Sequence, residues 1–366
     1  MTEQHQAIQA IVLVGGQGTR LRPLTLTTPK PLVPLANRAV IEHIVAWLEA
    51  QGIAEALLAT QYRAADFERW LRRWRRQGGM PVQAISEPEP RGTAGAVAHL
   101  AERLHGPVVV VNGDNLLQLD LRAMLAFHRR VGAQVTIAVD DVVDPTGRGV
   151  VVCDAQGRVS QFQEKPAPGT AYATTVNTGV YILEAAAVTS IPRGRCCSFE
   201  QDVFPALIAA GIPVWAFRSR HIWIDTGTPD GYLRAQAAVL TGEASAPAGV
   251  ELTPGVWVED NVTLDSAAQL GGGVALGYGS VVAAGSRIDA SSIGRECHVL
   301  GATVERSAIW DGSLLEATAI VRDSIIGYNC YIGAGARIVD AVLGDGCVLR
   351  AGAVVTGARL EAGMRR

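Results

Sequence analysis

The sequence predicts an α/β protein in which a doubly wound, mostly parallel sheet is followed by a left-handed parallel β-helix of hexapeptide repeats. Three observations predict this organisation. Continuous apolar runs alternate with amphipathic stretches up to about residue 240, a glycine-rich loop follows the first apolar run, and apolar residues recur at a spacing of six in the last third.

The alternation in the first part of the chain is typical of βαβ units. We predict buried strands at residues 11–14, 56–59 and 107–111, and helices at 39–50 and 64–76. Such units build a Rossmann-like sheet that binds ligands at the carboxyl ends of its strands. The arginines of the second helix flank an apolar stripe, so we interpret them as a solvated face rather than a nucleic-acid surface.

The composition changes near residue 240. The stretch 241–249 is rich in small residues and predicts a linker, so we expect one domain over 1–240 and a second over 250–366. The second domain contains four apolar series with a spacing of six, which fits neither a helix nor an alternating strand. The series are Val250, Val256 and Val262; Leu276, Val282 and Ile288; Leu314, Ile320, Ile326, Ile332 and Ile338; and Val342, Val348 and Val354.

The members of these series are expected to point into the β-helix, where stacked coils bury one another. We interpret the β-helix as a scaffold that pairs subunits or packs against the first domain, and we therefore expect a homo-oligomer. An acyltransferase is an alternative, but its chemistry usually needs a histidine base, and His298 is the only histidine after His221. A regulatory ligand site is a second alternative.

The charge and cysteine content narrow the function classes. The net charge of −3 gives no global electrostatic case for binding nucleic acid or a membrane. No secretory leader and no apolar run of about 18 residues are recognisable, and the six cysteines include no C-x-x-C pair. We therefore expect a cytoplasmic protein with reduced thiols.

A glycine-rich, cationic loop follows the first predicted strand. Its glycines let main-chain N–H groups approach an anion, and its cations add positive charge. The residues concerned are Gly15, Gly16, Gly18, Arg20, Arg22 and Lys30. The Walker A pattern is absent, and Leu21 stands where a dinucleotide fingerprint needs its third glycine. A phosphate loop of another kind is predicted.

Two aspartates follow short apolar stretches, where side chains reach the ligand crevice. Asp114 follows the strand at 107–111, and Asp225 follows the apolar stretch at 222–224. Because nucleotide phosphates bind with Mg²⁺, which one or two carboxylates hold, both are candidate metal ligands. Each could also be a turn residue.

Three further stretches suit a sugar phosphate or a base. Glu164 and Lys165 place a sugar-hydroxyl acceptor beside a phosphate-pairing ammonium. Asn177 offers an amide that both donates and accepts hydrogen bonds. The loop at 87–95 could read a nucleobase edge or simply cap a helix.

Seven motifs occur in order along the chain: LVGGQGTRLRPLT, PKPLVP, EPEPRGTAGA, NGD, FQEKP, NTGVYIL and WIDTGTPDGYL. Together they resemble the sugar-phosphate nucleotidyltransferases, and among these the mannose-1-phosphate guanylyltransferases that carry a C-terminal β-helix. The resemblance covers nearly the whole chain, and the first motif is highly specific. Two positions depart from the family pattern, Asn115 after NGD and Thr178 within NTG, and both flank the expected sugar pocket.

The resemblance implies a role for each matching residue. The residues around the nucleotide would be Leu13, Gly15, Gly16, Gly18, Thr19 and Arg20, with Glu87, Gly92 and Thr93 bordering the base. Lys30 would stabilise charge at the reacting phosphate, and Asp114 and Asp225 would hold Mg²⁺. Gly149, Glu164 and Asn177 would hold the sugar, with Lys165 on its phosphate.

The implied reaction joins a nucleoside triphosphate to a sugar 1-phosphate and releases pyrophosphate. The resemblance favours GTP and mannose 1-phosphate. The alternatives are glucose 1-phosphate with dTTP, UTP or ATP, a cyclitol phosphate, and a non-catalytic regulatory relative. The last is disfavoured because Arg20, Lys30, Asp114, Lys165 and Asp225 are all present.

Overall fold

The computed structural model describes residues 8–218 and 221–366. Within them the chain divides into two compact units that are not consecutive stretches of sequence. The first unit comprises the described residues up to 16, together with 45–113 and 118–223. The second comprises 17–44, 114–117 and 224–366. The boundaries predicted at residues 240 and 250 stay a prediction about organisation along the chain.

The helices and strands of the first 240 residues follow the predicted alternation. The helices are α1 (Val40–Ala50), α2 (Ala64–Gln77), α3 (Gly92–Leu100), α4 (Leu121–Arg130), α5 (Ala185–Thr189), α6 (Phe204–Ala209) and α7 (Pro229–Leu240). The strands are β1 (Gln9–Leu13), β2 (Pro34–Leu35), β3 (Arg38–Ala39), β4 (Glu55–Thr60), β5 (Val82–Ser86), β6 (Val108–Asn112), β7 (Asn115–Gln118), β8 (Val135–Asp141), β9 (Gly149–Cys153), β10 (Val159–Glu164), β11 (Thr175–Leu183), β12 (Val214–Arg218) and β13 (Ile222–Asp225). The three predicted strands correspond to β1, β4 and β6, and the two predicted helices to α1 and α2.

A nine-stranded sheet forms the first unit. Strands β5, β4, β1 and β6 lie side by side and run parallel. Strand β11 runs antiparallel to β6, β8 and β9, and β9 and β10 form an antiparallel hairpin, so the sheet is mixed rather than purely parallel. The predicted doubly wound α/β architecture is confirmed, with β10 and β11 reversed.

The carboxyl ends of the central strands meet at one edge of this sheet. Leu13 lies opposite Asn112 on β6, and Ser86 ends β5 beside β4. The Gly113 N–H donates to the Leu13 carbonyl over 2.9 Å, and a Cβ at Gly113 would lie 2.5 Å from Val14 Cγ1. Glycine at position 113 therefore lets the chain leave β6 directly against the end of β1.

A parallel β-helix occupies most of the second unit. Its strands are β14 (Val250–Thr253), β15 (Val256–Val258), β16 (Thr263–Leu264), β17 (Gln269–Leu276), β18 (Val281–Val282), β19 (Arg287–Ile293), β20 (His298–Val299), β21 (Thr303–Glu305), β22 (Ala308–Ile309), β23 (Leu314–Leu315), β24 (Ile320–Arg322), β25 (Ile325–Ile326), β26 (Tyr331–Ile332), β27 (Arg337–Val339), β28 (Val342–Leu343), β29 (Val348–Leu349), β30 (Val354–Thr356) and β31 (Arg359–Leu360). Three stacks of parallel strands enclose an apolar core, and the short antiparallel pair β14–β15 precedes them. The predicted β-helix is confirmed.

The predicted spacing of six is only partly kept in the core. Leu314 and Ile320 were expected to point inward but are half-buried, whereas their neighbours Leu315 and Val321 are 0% exposed. Paired strands explain the shift, because Leu314 lies opposite Tyr331 on the next coil, an offset of 17 residues rather than 18. A strict period of six therefore moves out of phase by one residue in each coil.

Two other series end on the surface for related reasons. Val354 is 67% exposed, and Val355 takes the inward position instead. Val250 is 69% exposed in the antiparallel strand β14, which lies outside the parallel stacks. The predicted inward orientation is therefore wrong for both residues.

Helix α7 packs on the β-helix within the second unit. The hydroxyl of Tyr232, which is 0% exposed, donates to the Pro34 carbonyl and accepts from Trp310 Nε1 over 3.2 Å. Gln236 donates to the Ser307 carbonyl over 3.0 Å. Helix α7, the segment around Pro34 and the β-helix are thus joined by buried hydrogen bonds. None of the helices in the described part of the chain has the length and apolar character needed to cross a membrane.

Candidate active site

The second half of the cationic loop forms a tight turn in the second unit. Gly18 adopts a left-handed conformation with φ 62°, and residues Thr19–Leu21 form one 3-10 turn after it. The Gly18 carbonyl accepts from Thr25 Oγ1 over 2.8 Å, and a Cβ at Gly18 would lie 2.9 Å from the Lys30 Cβ. Glycine is required here because both the backbone angle and the closeness of Lys30 exclude a side chain.

The first half of the loop belongs to the first unit and begins where β1 ends. The space around Gly16 is open, since a Cβ there would meet no atom within 4 Å, and one at Gly15 would make only ordinary contact with Gln61. The protein's own packing therefore does not require these two glycines. Open main chain directly after β1 suits the close approach of an anion.

Four charged residues predicted from the sequence meet in the second unit. Lys30 Nζ donates to Asp114 Oδ2 over 2.8 Å and to Asp225 Oδ1 over 3.1 Å. Arg20 Nη2 donates to Asp225 Oδ2 over 3.0 Å. The Lys30 side chain is only 4% exposed, whereas Asp114, Asp225 and Arg20 are 41%, 32% and 64% exposed. We name these four residues the charged cluster.

The charged cluster keeps Asp225 ionised. Burial acts to raise the pKa of this carboxyl, but the charges of Lys30 and Arg20 and the Gly227 N–H lower it below its ordinary value. The Gly227 N–H donates to Asp225 Oδ1 over 2.7 Å. A Cβ at Gly227 would lie 2.7 Å from Arg20 Nη2 and 2.8 Å from Lys30 Nζ, so a larger residue would displace the cluster.

The two aspartates fit a divalent cation that is shared with a substrate phosphate. The Lys30 ammonium contacts both carboxylates at once, so a cation is accommodated where the two converge. Thr226 ties the strands that carry them, because its hydroxyl donates to the Asp114 carbonyl over 2.9 Å. No group of three or more metal-ligating side chains occurs among the described residues. A cation held by one or two carboxylates and completed by phosphate oxygens and water is what Mg²⁺ prefers.

The predicted sugar-phosphate residues lie together on the β9–β10 hairpin of the first unit. Glu164 lies opposite Gly149 in the register, and Lys165 Nζ contacts Glu164 Oε1 at 2.9 Å. A Cβ at Gly149 would lie 3.1 Å from Glu164 Oε2 and 2.9 Å from the Phe162 ring. Glycine at this position therefore leaves room beside the Glu164 carboxylate, while the Lys165 side chain is 68% exposed.

The loop after β5 carries the residues predicted to border the base. Burial raises the pKa of Glu87 above its ordinary value, and the Arg91 N–H, which donates to Glu87 over 3.2 Å, opposes that shift only in part. Gly92 has φ 70°, and a Cβ there would lie 2.9 Å from the Cys197 carbonyl carbon. This glycine lets α3 begin directly against the chain at Cys197.

A hydrogen-bond network in the first unit joins Thr93 to Asn177 through Glu200. Thr93 and Ser198 donate hydroxyl bonds to Glu200 Oε2 over 3.1 and 3.0 Å, and Tyr181 donates to Oε1 over 3.0 Å. Asn177 Nδ2 donates to the same Tyr181 hydroxyl over 2.7 Å. Burial, followed by the Glu200 charge, raises the pKa of Tyr181 well above its ordinary value, so the phenol stays a donor.

Sequence reasoning missed three residues beside these sites. Gly227 and Glu200 were not singled out, although both lie in motifs rich in Gly, Asp and Glu. Arg148 was also missed, and its guanidinium stacks 4.8 Å from the ring centre of Trp223. Its only sequence signal is a cation directly before Gly149. Thr178, which departs from the family pattern, is 0% exposed and donates to the Ala138 carbonyl over 3.0 Å.

Comparison with known proteins matches both parts of the chain. A profile described as "Nucleotidyl transferase" matches residues 9–242. The chain belongs to this family. A second profile, "GMPPB C-terminal domain", matches residues 252–361.

Curated relatives extend the match over most of the chain. A mannose-1-phosphate guanylyltransferase of Mycobacterium tuberculosis is 37% identical over 79% of this chain and 80% of its own. Mannose-1-phosphate guanylyltransferase 1 of Arabidopsis thaliana is 32% identical, covering 90% and 89% of the two chains. A UTP–glucose-1-phosphate uridylyltransferase of Synechocystis is also 32% identical, over 90% of each chain. Relatives at similar identity are therefore named for different bases and sugars.

A solved structure supports the fold of the nucleotidyl transferase part. HddC from Yersinia pseudotuberculosis, complexed with GMP-PN, superposes with a TM-score of 0.54 at 27% identity. The match covers 63% of this chain and 98% of HddC. The predicted family membership and the predicted α/β fold are both confirmed.

Proposed function

We propose that the protein transfers the guanylyl group of GTP to mannose 1-phosphate and releases pyrophosphate, which gives GDP-mannose. The names of the Mycobacterium and Arabidopsis relatives support this pair of substrates. The observation that carries the proposal is the charged cluster, in which Arg20 and Lys30 meet Asp114 and Asp225 within 3.1 Å. Such a set suits a reaction in which two anions must approach one another.

The reaction needs no side-chain nucleophile. A phosphate oxygen of mannose 1-phosphate forms a bond to the α-phosphorus of GTP, the bond from that phosphorus to the bridging oxygen breaks, and pyrophosphate leaves with the electron pair. The obstacle is repulsion, because two unit charges about 4 Å apart repel by about 4 kcal/mol at an effective dielectric near 20. Positioning and fixed positive charge therefore account for most of the rate enhancement.

Each site residue has a proposed role in this reaction. Arg20 pairs with the triphosphate and the departing pyrophosphate, and Lys30 with the reacting phosphate. The open main chain of the loop and the residues after β5 hold the nucleotide, namely Leu13, Gly15, Gly16, Gly18, Thr19, Glu87, Gly92 and Thr93. Gly149, Glu164 and Asn177 hold the sugar, and Lys165 pairs with its phosphate.

Asp114 and Asp225 are the proposed ligands of Mg²⁺, which supplies charge neutralisation to the phosphates when bound. We further propose that the enzyme works in the cytoplasm, because the six cysteines are all free thiols. A homo-oligomer formed through the β-helix stays part of the proposal.

A matrix of substrates tests the function directly. GTP, UTP, ATP and dTTP are each incubated with mannose 1-phosphate or glucose 1-phosphate and Mg²⁺, and pyrophosphate and the nucleotide sugar are measured. We expect turnover to be fastest with GTP and mannose 1-phosphate and to cease with a chelator. Asp225→Ala is the control and should abolish turnover while leaving the thermal unfolding curve cooperative.

UDP-glucose synthesis is the second candidate, because the Synechocystis relative matches over as much of the chain as the guanylyltransferases do. Faster turnover of UTP with glucose 1-phosphate would replace the proposed pair. Absence of pyrophosphate from every pair would refute catalysis altogether and leave a regulatory nucleotide-binding protein.

A further inference from the structure

The last coil of the β-helix bears on the phosphate loop. Arg359 in β31 donates from Nη1 to the Arg20 carbonyl over 2.9 Å and to the Arg22 carbonyl over 3.4 Å. The coil under it is well anchored, since Leu360 is 2% exposed in the apolar core and β31 pairs with β28. All of these residues belong to the second compact unit.

The two carbonyls lie at the end of the 3-10 turn that presents Arg20. Inside the turn, the Leu21 N–H donates to Gly18 and the Arg22 N–H donates to Thr19. The carbonyls at the end of such a turn have no partner within it, and a guanidinium is well suited to accept that task because its donors are charged and form a fork. The turn is therefore held by Gly18 and Thr25 on one side and by Arg359 on the other.

Fixing this backbone affects the charged cluster. The Arg20 side chain is 64% exposed and bonds to Asp225, so its order depends on the main chain from which it extends. A long, exposed arginine loses conformational entropy when it pairs with a phosphate. A backbone that is already fixed in the binding conformation reduces that loss.

We infer that Arg359 is a positioning residue for Arg20, so that the β-helix takes part in binding the triphosphate. The inference rests on the proposed function, because it assumes that Arg20 pairs with the triphosphate. It gives the β-helix a role inside one subunit that neither a scaffold for pairing subunits nor an acyltransferase would need.

The test compares Arg359→Ala and Arg359→Lys with Arg337→Ala. Arg337 is an exposed arginine of β27, and its side chain makes no hydrogen bond within the described residues. For Arg359→Ala we expect KM for the triphosphate to rise about three- to tenfold, a change typical of one lost hydrogen bond to a charged group. The KM for the sugar phosphate and kcat should stay within about twofold of the wild type, since the lost contact orders the turn before the chemical step.

The other two variants separate position from charge. Arg359→Lys keeps the charge without the fork, so its KM should lie between those of Arg359→Ala and the wild type. Arg337→Ala should behave as the wild type. Equal effects of Arg359→Ala and Arg337→Ala, or full recovery in Arg359→Lys, would show that net charge rather than positioning is responsible and would overturn the inference.

Hydrogen–deuterium exchange of the apo protein gives a readout that does not need turnover. In Arg359→Ala the amides of Leu21 and Arg22 should exchange faster, while those of Ile326 and Ile332 in the core of the β-helix keep wild-type rates. Unchanged exchange in the turn overturns the inference even if the enzyme is active. Faster exchange in a protein that releases no pyrophosphate with any substrate pair would instead keep the contact and reject the proposed function.

Discussion

Lys30 and Asp114 form an ion pair in which the cation is buried and the anion is not. Their nitrogen and oxygen atoms are 2.8 Å apart, with the Lys30 side chain 4% exposed and that of Asp114 41% exposed. A buried ammonium is stable only when it is paired, and the two aspartates supply both partners. The carboxylates can be rehydrated if the lysine is removed, whereas the lysine could not be rehydrated if they were.

Replacing Lys30 with methionine should therefore damage catalysis far more than folding. Methionine keeps much of the buried apolar stem, and the half-exposed aspartates regain water. We expect turnover to fall at least about 100-fold, the size of effect seen when one charge-stabilising group is removed from an active site. The free energy of unfolding should change by no more than about 2 kcal/mol. Pyrophosphate release and chemical denaturation measure the two quantities.

Arg22→Met is the matched control, because Arg22 is an exposed cation of the same loop. It should lose much less activity than Lys30→Met. An equal loss in both variants would mean that the net charge of the loop matters rather than the position of Lys30 between the aspartates.

The sequence predicted which residues form the charged cluster but not how they pair. Strand ends could be found from apolar runs, and both aspartates follow such runs. Lys30 bonds to partners 84 and 195 residues away, which no local pattern specifies. Gly227 was missed for the same reason, since its need to be small arises only where Arg20 and Lys30 meet Asp225.

The β-helix shows a different limit of sequence reasoning. Its period was recognisable, but its phase was not, because Leu314 and Leu315, like Ile320 and Val321, are apolar at adjacent positions. Either member could face inward as far as hydrophobicity is concerned. The coil length of 17 residues decides between them, and it follows from strand pairing rather than from composition.

Glu200 should couple the two substrates, because it accepts bonds from both Thr93 and Tyr181. Glutamine at this position keeps the shape but replaces one accepting oxygen with a donor. We expect Glu200→Gln to raise KM for both the triphosphate and the sugar phosphate about three- to tenfold, as expected for one or two lost hydrogen bonds to a charged acceptor. Steady-state kinetics with each substrate varied in turn measures this.

Two single-arm variants make the coupling specific. Thr93→Val removes the bond on the nucleotide side and should raise mainly the KM for the triphosphate. Tyr181→Phe removes the hydroxyl that Asn177 contacts over 2.7 Å and should raise mainly the KM for the sugar phosphate. If Tyr181→Phe raised only the triphosphate KM, the assignment of Asn177 to the sugar would be wrong.

His43 provides a pH-dependent contribution to stability. It is 2% exposed, its Nε2 lies 2.9 Å from the Leu35 carbonyl, and its Nδ1 contacts the Ser245 hydroxyl. Burial, assisted by the charge of Arg38 and opposed by the Leu35 carbonyl, lowers the pKa of His43 to about 3. The histidine is therefore neutral in the folded protein over the whole range in which it would titrate in the unfolded chain.

The sign of the effect follows from the protons that each state binds. The unfolded chain takes up a proton on this histidine near pH 6.5, whereas the folded protein does so only near pH 3. Stability from this group is complete above pH 6.5 and is lost as the pH falls, by at most about 1.4 kcal/mol per pH unit. Denaturant unfolding at pH 7.5, 6.5, 5.5 and 4.5 should show this slope. His43→Gln should flatten it, whereas His99→Gln, which changes an exposed histidine, should not. A wild-type slope in His43→Gln would show that other groups, such as the partly buried His128, account for the loss of stability in acid.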